Sequence, residues 1–415
     1  MVNKNLLIWN KAKKIIPSGN SFLSKNPSRF PNKNWPIYFS KANGCEIWDL
    51  NNKKFYDFSF MGVGTNILGY ADKDVDKAVI NEIKKSNMSS LNSKFEVEFA
   101  DLLKKIHPWS SMVKFARTGA EANSIAIRLS RAYTKKNKII VCGYHGWHDW
   151  YLSAKLGNKH NSLDTHLYKD LKIEGVDKNL RNSTYSVNYN DLISIEKIIQ
   201  KDKDIACIIM EVERDEKPKK NFLKSIRKIC TKKKITLIFD ECTTGFRENY
   251  GGLHLKYKIH PDLAMFGKAI GNGYAITSVV GKKKIMNFAK NTFLSSTFWS
   301  EKIGFVAGLA TLRKMKKISA QKKLKIKSLK IKKGLFLLAK KHKLKINFKG
   351  LDALITFQIE GIKDDELNRI ILSKMIDKGF LAGNKLYVSI AHSDKLIKKY
   401  LNNIDIIFKE IKKNI

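Results

Sequence analysis

The amino-acid sequence predicts an α/β protein in which a mostly parallel β-sheet is covered by helices on both faces. From about residue 95 onward, short apolar runs alternate with longer segments whose apolar residues recur at helical spacing. Several short runs, such as ITLIF and LAMF, are apolar at nearly every position, which is typical of strands buried on both sides. Strands of this kind, separated by helices, predict parallel pairing. After about residue 343 short strands and helices alternate, which predicts an additional, smaller α+β domain.

Length and composition describe a large globular protein with an unusual charge. The chain has 415 residues, of which 43% are hydrophobic and 10% aromatic, so it can bury a large core and form more than one domain. Its formal net charge of +41 would suit a nucleic acid or another polyanion as partner. Nearly all of this charge comes from lysines scattered along the chain, whereas arginine is the better reader of phosphates and bases. We therefore expect solvated lysines and no nucleic-acid partner, with a non-catalytic polyanion-binding protein as a distant alternative.

The cysteines and the first residues indicate a cytoplasmic protein. The five cysteines show no CxxC spacing, and their odd number fits a reducing compartment: Cys45, Cys142, Cys207, Cys230 and Cys242. The opening segment MVNKNLLIWNKAKKII has too short an apolar run for a signal peptide, and no apolar stretch is long enough to span a bilayer. We therefore expect a soluble, cytoplasmic protein without a membrane partner.

Three segments of different character predict the domain organisation. Residues 1–60 are expected to form an N-terminal arm and part of a small domain, with a short helix, a Pro/Asn/Ser-rich loop and antiparallel strands joined by a hairpin. Residues 61–300 are expected to form a large ligand-binding domain. Residues 301–415 are expected to form a C-terminal small domain.

The elements of the large domain are predicted as alternating helices and strands. Helices are predicted at residues 73–85, 96–106, 121–134, 191–201 and 221–231. Strands are predicted at residues 112–116, 138–143, 205–210, 235–239, 263–266 and 275–281. Residues 155–190 lack a clear period and are predicted to form loops. Beyond Phe293, a loop and a helix lead to a lysine-dense amphipathic helix at about residues 315–342.

Polar residues follow five of the predicted strands at the point where each strand ends. These residues are Arg117–Gly119, Tyr144–His145, Glu211, Asp240 and Lys268. In open parallel sheets, ligands bind beyond the carboxyl ends of the strands. The sequence therefore predicts one binding site at this edge of the sheet.

Lys268 is the most informative of these residues. In so basic a chain, it is the only lysine between Lys258 and Lys282, and it directly follows the apolar strand LAMF and a glycine. A buried amine loses its proton more readily than a solvated one and then acts as a nucleophile toward carbonyl groups. The alternative is a lysine that extends its amine from a buried strand end to solvent.

The other residues at this edge each allow a functional and a structural interpretation. The Thr118-Gly119-Ala120 turn opens a helix directly after a strand, which suits a phosphate and equally an ordinary helix cap. Asp240 would be costly to bury as an anion without a partner, which would be a protonated ring nitrogen of a ligand or an arginine such as Arg247. Tyr144 is placed to stack on a flat ligand or simply to pack.

A metal site is a weaker alternative at the same edge. The segment YHGWHDW offers His145, His148 and Asp149 as ligands. Their spacing is not that of an established metal motif, so we expect no metal. An anion site, a stacking aromatic, a buried carboxylate and an isolated lysine are instead the groups that pyridoxal 5′-phosphate (PLP) requires.

The motifs that carry these residues resemble the class III PLP-dependent aminotransferases of fold type I, in particular their glutamate-1-semialdehyde aminotransferase-like branch. The resemblance extends from about residue 35 to Leu312 and rests on motifs in the family's order: ARTGAEAN, GYHGWHD, LIFDECTTGFR, PDLAMFGKAIGNG and SSTFWSE…AGLATL. It implies a large PLP-binding domain with a mostly parallel sheet, plus a smaller α+β domain.

The resemblance also implies roles for single residues. Lys268 resembles the catalytic lysine that forms the Schiff base and shuttles the proton, and Asp240 resembles the carboxylate that keeps the pyridine nitrogen protonated. Tyr144 matches the ring-stacking aromatic, and Cys242 stands where the family usually has valine on the opposite ring face. Thr297 matches a threonine that reaches the phosphate of the neighbouring subunit, which implies a homodimer with shared active sites. The other expected cofactor-binding residues are Thr118, Gly119, Ala120, His145 and Glu211.

The chain departs from the family at positions that concern the substrate more than the cofactor. Ala120 replaces a common Thr or Ser, Val212 replaces a proline, and Asp215 or Glu216 stands where an asparagine would contact the cofactor's O3′. Ser24, beside Lys25, aligns with the arginine that holds a substrate carboxylate in the aminomutases. The segment LAGNKLYVSIAHS has no obvious counterpart of their gating glutamate.

We therefore expect a PLP-dependent aminotransferase that moves an amino group from a small-molecule donor to an aldehyde or ketone acceptor. The alternative within the family is glutamate-1-semialdehyde 2,1-aminomutase, an enzyme of tetrapyrrole synthesis. Arg117, Arg214 and Arg247 are candidates for holding an anionic substrate, and each is equally compatible with a structural role.

Overall fold

A computed structural model describes residues 3–30, 32, 34–157, 162–167, 171–213 and 215–413. The chain divides into two compact units. The first combines Met1–Asp76 with Lys317–Ile415, and the second is Lys77–Lys316. We expected boundaries after residues 60 and 300, whereas the two units divide after Asp76 and after Lys316.

The α-helices are distributed over both units. In chain order they are α1 (Lys4–Ile15), α2 (Met61–Gly64), α3 (Lys73–Ile83), α4 (Lys94–Ile106), α5 (Gly119–Thr134), α6 (Asp149–Leu152), α7 (Leu192–Lys201), α8 (Phe222–Lys233), α9 (Leu253–Lys256), α10 (Lys283–Met286), α11 (Lys302–Lys317), α12 (Ala320–Lys341), α13 (Asp364–Asp377) and α14 (Asp394–Lys413). In the part of the chain that the structure describes, none of these helices is both long and apolar enough to cross a membrane.

The strands form three sheets. They are β1 (Phe39–Asn43), β2 (Glu46–Asp49), β3 (Lys54–Asp57), β4 (Met112–Ala116), β5 (Lys138–Cys142), β6 (Thr184–Ser186), β7 (Ile205–Glu211), β8 (Thr236–Asp240), β9 (Leu263–Phe266), β10 (Thr277–Gly281), β11 (Ile346–Lys349), β12 (Leu354–Ile359), β13 (Phe380–Leu381) and β14 (Lys385–Tyr387). In the smaller unit, β1-β2-β3-β13 and β11-β12-β14 are two separate sheets accompanied by α12, α13 and α14.

The larger unit is built on a seven-stranded sheet of order β4-β10-β9-β8-β7-β5-β6. Strands β9, β8, β7, β5 and β6 pair in parallel, whereas β10 is antiparallel to both of its neighbours, β4 and β9. Strand β4 therefore runs in the same direction as the parallel strands. The expected mostly parallel sheet is confirmed, with β10 as the exception.

Alternation along the strands explains why both faces of this sheet are covered. Ile238 of β8 and Met265 of β9 pack with Ile125 of α5 in one apolar cluster. Leu237 and Phe239, which point the opposite way because side chains alternate along a strand, are also fully buried. Successive residues of β8 are therefore buried on both faces of the sheet, which is why the strand is apolar at nearly every position.

The pairing register brings the polar strand ends level with one another. Glu211 of β7 lies opposite Asp240 of β8, and Asp240 lies opposite Met265 of β9. On the other side, Met210 of β7 pairs with Cys142 of β5, so that Tyr144 comes just beyond the edge. Lys268 comes two residues after the end of β9.

Two predictions of secondary structure were wrong in part. The stretch 155–190 contains strand β6, which pairs in parallel with β5 at the edge of the sheet. The helix expected at about 315–342 is instead the end of α11 followed by α12, because Ser319 adopts a left-handed conformation with φ of 51° and interrupts the helix.

Asp262, just ahead of β9, ties three parts of the larger unit together. Its carboxylate accepts from Arg227 Nη1 of α8 at 2.8 Å, from Leu237 N of β8 at 3.0 Å and from Lys282 Nζ at 2.8 Å. Burial alone would raise the pKa of Asp262, but Arg227, the Leu237 N–H and Lys282 together lower it below its ordinary value.

We expect Asp262→Asn to lower the free energy of unfolding at pH 7 by about 1–3 kcal/mol, because the partly exposed Arg227 and Lys282 lose the charge of their buried partner. The folded-state pKa lies below the unfolded value of about 3.9, so this contribution is present above that value. It is lost as the pH falls through the folded-state pKa, and the difference between wild type and variant should shrink there. Urea unfolding at several pH values measures it. The exposed pair Lys172–Glu174 provides the control: Glu174→Gln should change the stability by less than about 0.5 kcal/mol.

Candidate active site

The polar ends of β4, β5, β7, β8 and β9 lie at one edge of the sheet, as predicted, because these strands share a direction. Contacts connect neighbouring ends there. His145 Nδ1 lies 2.8 Å from Asp240 Oδ2, and the N–H of Tyr144 donates to Glu211 Oε2 at 3.1 Å. Residues that are distant in the sequence therefore form one site.

Asp240 is a buried carboxylate held by three donors. Its side chain is 4% exposed. Oδ2 accepts from His145 Nδ1 and from Asn123 Nδ2, both at 2.8 Å, and Oδ1 accepts from the N–H of Cys242 at 3.0 Å. Burial would raise the pKa of Asp240, but the donation from His145, Cys242 and Asn123 outweighs burial and lowers it. The carboxylate is therefore ionised at neutral pH, and His145 carries its proton on Nδ1, since an ionised carboxylate only accepts.

The protein partner of Asp240 is thus His145 and not an arginine, which was the structural alternative to a ring nitrogen of a ligand. Arg247 is fully buried, and its Nε donates to the carbonyl of Thr243 at 2.9 Å. Arg117 binds three carbonyl oxygens, those of Phe298, Trp299 and Glu301. Arg214 lies outside the described residues.

Consecutive side chains at the start of the turn after β8 contact different partners. Whereas Asp240 points to His145, Glu241 is fully buried and accepts from His254 Nδ1 and from Thr244 Oγ1, both at 2.6 Å. The pKa of Glu241 is lowered because these bonds outweigh its burial. Two adjacent carboxylates therefore fix the start of this turn.

Cys242 lies between the helix start and the end of β9. A Cβ atom added to Gly119 or to Gly267 would lie 3.3 Å or 2.9 Å from its Sγ. Burial, the largest effect, raises the pKa of the Cys242 thiol to about 11, while Lys268 lowers it and Asp240 and Glu211 raise it. The thiol is therefore protonated, and all three charges act on it.

Lys268 opens a short 3-10 helix, Lys268–Gly271, and has a positive φ of 44°. Its side chain is half-buried, and Nζ donates to Thr243 Oγ1 at 2.8 Å. Positive φ is uncommon for a non-glycine residue, but Lys135 and Lys234 share it as helix caps, so it does not by itself mark Lys268 as functional. The amine thus lies at the same edge as Asp240, beside the turn after β8.

The start of α5 combines both interpretations of the Thr118-Gly119-Ala120 turn. Thr118 is the N-cap of a capping box: Glu121 Oε2 accepts from the Thr118 N–H at 2.8 Å and from its hydroxyl at 3.0 Å. Gly119 and Ala120 occupy the first two helical positions, where N–H groups have no carbonyl partner within the helix. These two N–H groups and the helix dipole are therefore available to an anion, and the role of the turn as an anion site stays a prediction.

Tyr144 and Glu211 lie beside each other at the ends of β5 and β7. The Tyr144 side chain is 39% exposed, which leaves part of its ring accessible. Gly143 has φ of 127°, and a Cβ there would lie 2.8 Å from Glu211 Oε2. Glycine is needed at this position because the carboxylate approaches the backbone so closely.

Thr297 is exposed at the start of a short 3-10 helix, Thr297–Ser300. Arg117 Nε donates to the neighbouring Phe298 carbonyl at 2.6 Å, which ties this segment to the residue ahead of Thr118. Trp299 Nε1 donates to Glu121 Oε1 at 3.0 Å. The structure places the Thr297 segment beside the start of α5.

The alternative of a metal site gains no support from the contacts. His145 is bound to Asp240, and His148 Nδ1 lies 2.5 Å from Ser124 Oγ. Among the residues that the structure describes, no group of three or more His, Cys, Asp or Glu side chains is arranged to hold a metal ion.

Two residues of this site were not predicted from the sequence. Asn123 bridges Asp240 and the carbonyl of His145, at 2.8 and 3.0 Å. Its signal was a polar residue on the otherwise apolar face of α5, between Ala122 and Ile127. Thr243 accepts the Lys268 bond, and a threonine in a turn gives no such signal.

The comparisons with known proteins identify the family to which the chain belongs. The family model for class III aminotransferases matches residues 29–408, and the chain belongs to this family. It is 34% identical over 321 residues to the 3-aminobutyryl-CoA aminotransferase of Cloacimonas acidaminovorans, covering 74% of this chain and 72% of that protein. It is 37% identical over 325 residues to the glutamate-1-semialdehyde 2,1-aminomutase of Nitrosopumilus maritimus, covering 76% and 73%.

A solved structure shows the same fold. The PLP internal aldimine form of the FumI protein from Sphingopyxis sp. MTA144 superposes with a TM-score of 0.89 at 22% identity, covering 99% of this chain and 97% of that one. The expected family, fold class, enzyme class and PLP cofactor are thus confirmed. The chain is a PLP-dependent enzyme that acts on small-molecule amino and carbonyl substrates.

The residues present fit this cofactor. A buried, ionised Asp240 suits a protonated ring nitrogen, the Lys268 amine suits an aldehyde, and the N–H groups of Gly119 and Ala120 suit a phosphate. Gly119 and Gly267 leave room beside Cys242 that a Cβ atom would fill.

Gly146→Ala tests whether the start of α5 is the anion site. Gly146 has φ of 114°, and a Cβ there would lie 2.8 Å from Ala120 Cβ and 3.2 Å from its Cα. We expect this variant to displace the first turn of α5 and to weaken PLP binding about tenfold or more, measured by fluorescence titration of the apoenzyme.

Gly175→Ala is the matched control, since Gly175 has φ of 88° with nothing within 4 Å of its Cβ position. It should cost about 1–3 kcal/mol of stability through backbone strain alone and leave the affinity for PLP unchanged. Wild-type affinity in Gly146→Ala would argue against an anion site at this helix.

Proposed function

We propose that this chain is an aminotransferase proper, which transfers an amino group between a donor and a separate aldehyde or ketone acceptor, with Lys268 as its catalytic residue. The observation that carries the PLP chemistry in this proposal, including the role of Lys268, is the convergence of Lys268 and Asp240 at the ends of neighbouring strands β9 and β8. A half-buried amine and a buried carboxylate at one edge are the two reactive groups that the chemistry requires.

The other residues hold the cofactor between these two groups. Bound PLP supplies an aldehyde that links to amines and a ring that withdraws electrons from the carbon next to nitrogen. Asp240 would hold the proton on the ring nitrogen, and the N–H groups of Gly119 and Ala120 would bind the phosphate. Tyr144 and Cys242 would contact the two ring faces, and His145 and Glu211 would support Asp240 and Tyr144 through the bonds described above.

Lys268 would perform the proton transfer. With the cofactor bound, the Lys268 amine would be the base that takes a proton from the substrate carbon that carries the nitrogen, and then the acid that gives this proton back. The same proton transfers in reverse, with the acceptor in place of the donor, would complete a ping-pong cycle.

Two features favour transfer to a separate acceptor over the aminomutase reaction. Ser24 stands where the aminomutases have a carboxylate-binding arginine, and residues 381–393 lack an obvious counterpart of their gating glutamate. The names of the relatives include both activities, so the aminomutase reaction is the second candidate.

A homodimer with shared active sites is part of this proposal. Thr297 is exposed in a segment that also exposes Phe293 and Phe298, at 85% and 65%. Exposed aromatic residues beside a binding site are typical of a surface that another protein covers. Thr297 would then reach the phosphate bound by the second subunit.

The cytoplasm is the compartment that we propose. All five cysteines are free thiols, as expected in a reducing environment. A PLP enzyme acting on small metabolites suits that location.

Lys268→Ala should abolish the covalent attachment of PLP. Borohydride reduction of the wild-type protein with PLP, followed by peptide mass spectrometry, should place the pyridoxyl group on Lys268, because its amine condenses with the aldehyde. The variant should bind PLP reversibly, lose the absorbance band of the attached cofactor and lose at least about 10³-fold in activity. Lys233 is exposed, and Lys233→Ala is the control: it should keep the absorbance band of the attached cofactor and the activity. Attachment at another lysine would contradict the assigned role.

A reaction with glutamate 1-semialdehyde as the sole substrate separates the aminotransferase from the aminomutase. When glutamate 1-semialdehyde is supplied without an amino donor, an aminotransferase should convert no more than one equivalent per active site. An aminomutase would turn over repeatedly, since it returns the amine to the same carbon skeleton. Catalytic formation of 5-aminolevulinate would overturn our preference, and screening donors and carbonyl acceptors by cofactor absorbance would identify the substrates.

A further inference from the structure

Thr243 contacts the reactive amine directly. Its side chain is 7% exposed, and its Oγ1 accepts from Lys268 Nζ at 2.8 Å. We infer that Thr243 is a positioning residue for Lys268, whose hydroxyl fixes the direction in which the amine meets a carbonyl carbon. This inference rests on the proposed role of Lys268.

The position of the Thr243 hydroxyl is itself fixed. Cys242 N–H donates to Asp240 Oδ1 at 3.0 Å just ahead of it, and Arg247 Nε donates to the Thr243 carbonyl at 2.9 Å. Gly245 N–H donates to the Glu241 carbonyl at 2.7 Å and closes the turn around it. Threonine is also stiff at its first side-chain torsion because it is branched at Cβ. The acceptor is therefore pre-organised.

Lys268 needs such an acceptor because its side chain is long and flexible. A lysine loses up to about 2 kcal/mol of rotamer entropy when it is held in one conformation. The carboxylate of Asp240 already accepts from three donors, and the Cys242 thiol is a weak acceptor. Thr243 provides a neutral oxygen that accepts from the amine at 2.8 Å.

The direction of the hydrogen bond from Lys268 Nζ to Thr243 Oγ1 suits the condensation of the amine with the aldehyde of PLP. Lys268 first releases one proton to solvent and becomes a neutral amine with two hydrogens and one lone pair. One N–H then points to Thr243 Oγ1, so the lone pair is free to attack the aldehyde carbon. The new C=N bond replaces C=O, and the oxygen leaves as water with both amine hydrogens.

The test compares Thr243→Val, which keeps the shape and removes the hydroxyl, with Thr243→Ser, which keeps the hydroxyl. Apoenzyme is mixed with PLP, quenched with borohydride at increasing times, and analysed for the pyridoxyl group on the Lys268 peptide. We expect attachment to be about three- to tenfold slower in Thr243→Val and within about twofold of wild type in Thr243→Ser.

A control variant separates the lost bond from a general effect of the exchange. Thr311 is a buried threonine in the same unit, and its hydroxyl has no hydrogen-bond partner within the described residues. Thr311→Val should attach PLP at the wild-type rate. Equilibrium titration should also show a smaller change in affinity than in attachment rate for Thr243→Val.

Four outcomes of this experiment are possible. Attachment at the wild-type rate in Thr243→Val, or equal slowing in Thr243→Ser, would overturn the inference, since the hydroxyl would then not matter. Slow attachment in Thr243→Val alone supports it. If wild type, Val and Ser variants all carry the group on a different lysine, the assigned role of Lys268 fails instead, and the two failures are thereby distinguished.

Discussion

The site depends on keeping one carboxylate ionised in a buried position. Asp240 ends the apolar strand β8, and an unpaired anion there would cost several kcal/mol. Its three donors come from three places: Asn123 of α5, His145 after β5, and the backbone N–H of Cys242. Each donor must be in position for the anion to be stable, so the helix, the loop and the turn are held relative to one another by a single side chain.

The neighbouring carboxylate of Glu241 extends this constraint to the next residues of the chain. Because side chains alternate at a strand end, Glu241 points away from Asp240 and meets His254 and Thr244. The chain is therefore anchored on both sides where it leaves β8. The turn beyond Glu241 has little freedom as a result, and it sets the positions of the Cys242 thiol and the Thr243 hydroxyl beside Lys268.

The strands and their polar ends were predictable because burial on both faces leaves a clear pattern in the sequence. The runs LAMF and MVKFA coincide with β9 and β4, and the edge that they define contains the residues singled out for it. Strand β6, with the sequence TYS, was missed because it is short and has no apolar run. Asn123 and Thr243 were missed for a different reason: their partners are distant in the sequence, so their roles depend on pairing register and turn geometry. The bond between His145 and Asp240 was not predicted for the same reason, since the two residues are distant in the sequence.

Arg117 provides a positive charge close to the capping carboxylate at the start of α5. Glu121 caps α5 and brings a negative charge to the helix start, which by itself would oppose an anion there. Arg117 lies close enough for the two charges to interact, and burial lowers the pKa of Arg117 while Glu301 and Glu121 raise it. The arginine thus offsets the capping carboxylate, and its donors hold residues 298–301 through their carbonyl oxygens. The dipole of α5 then remains available to an anion, while the Thr297 segment is held in place by the same side chain.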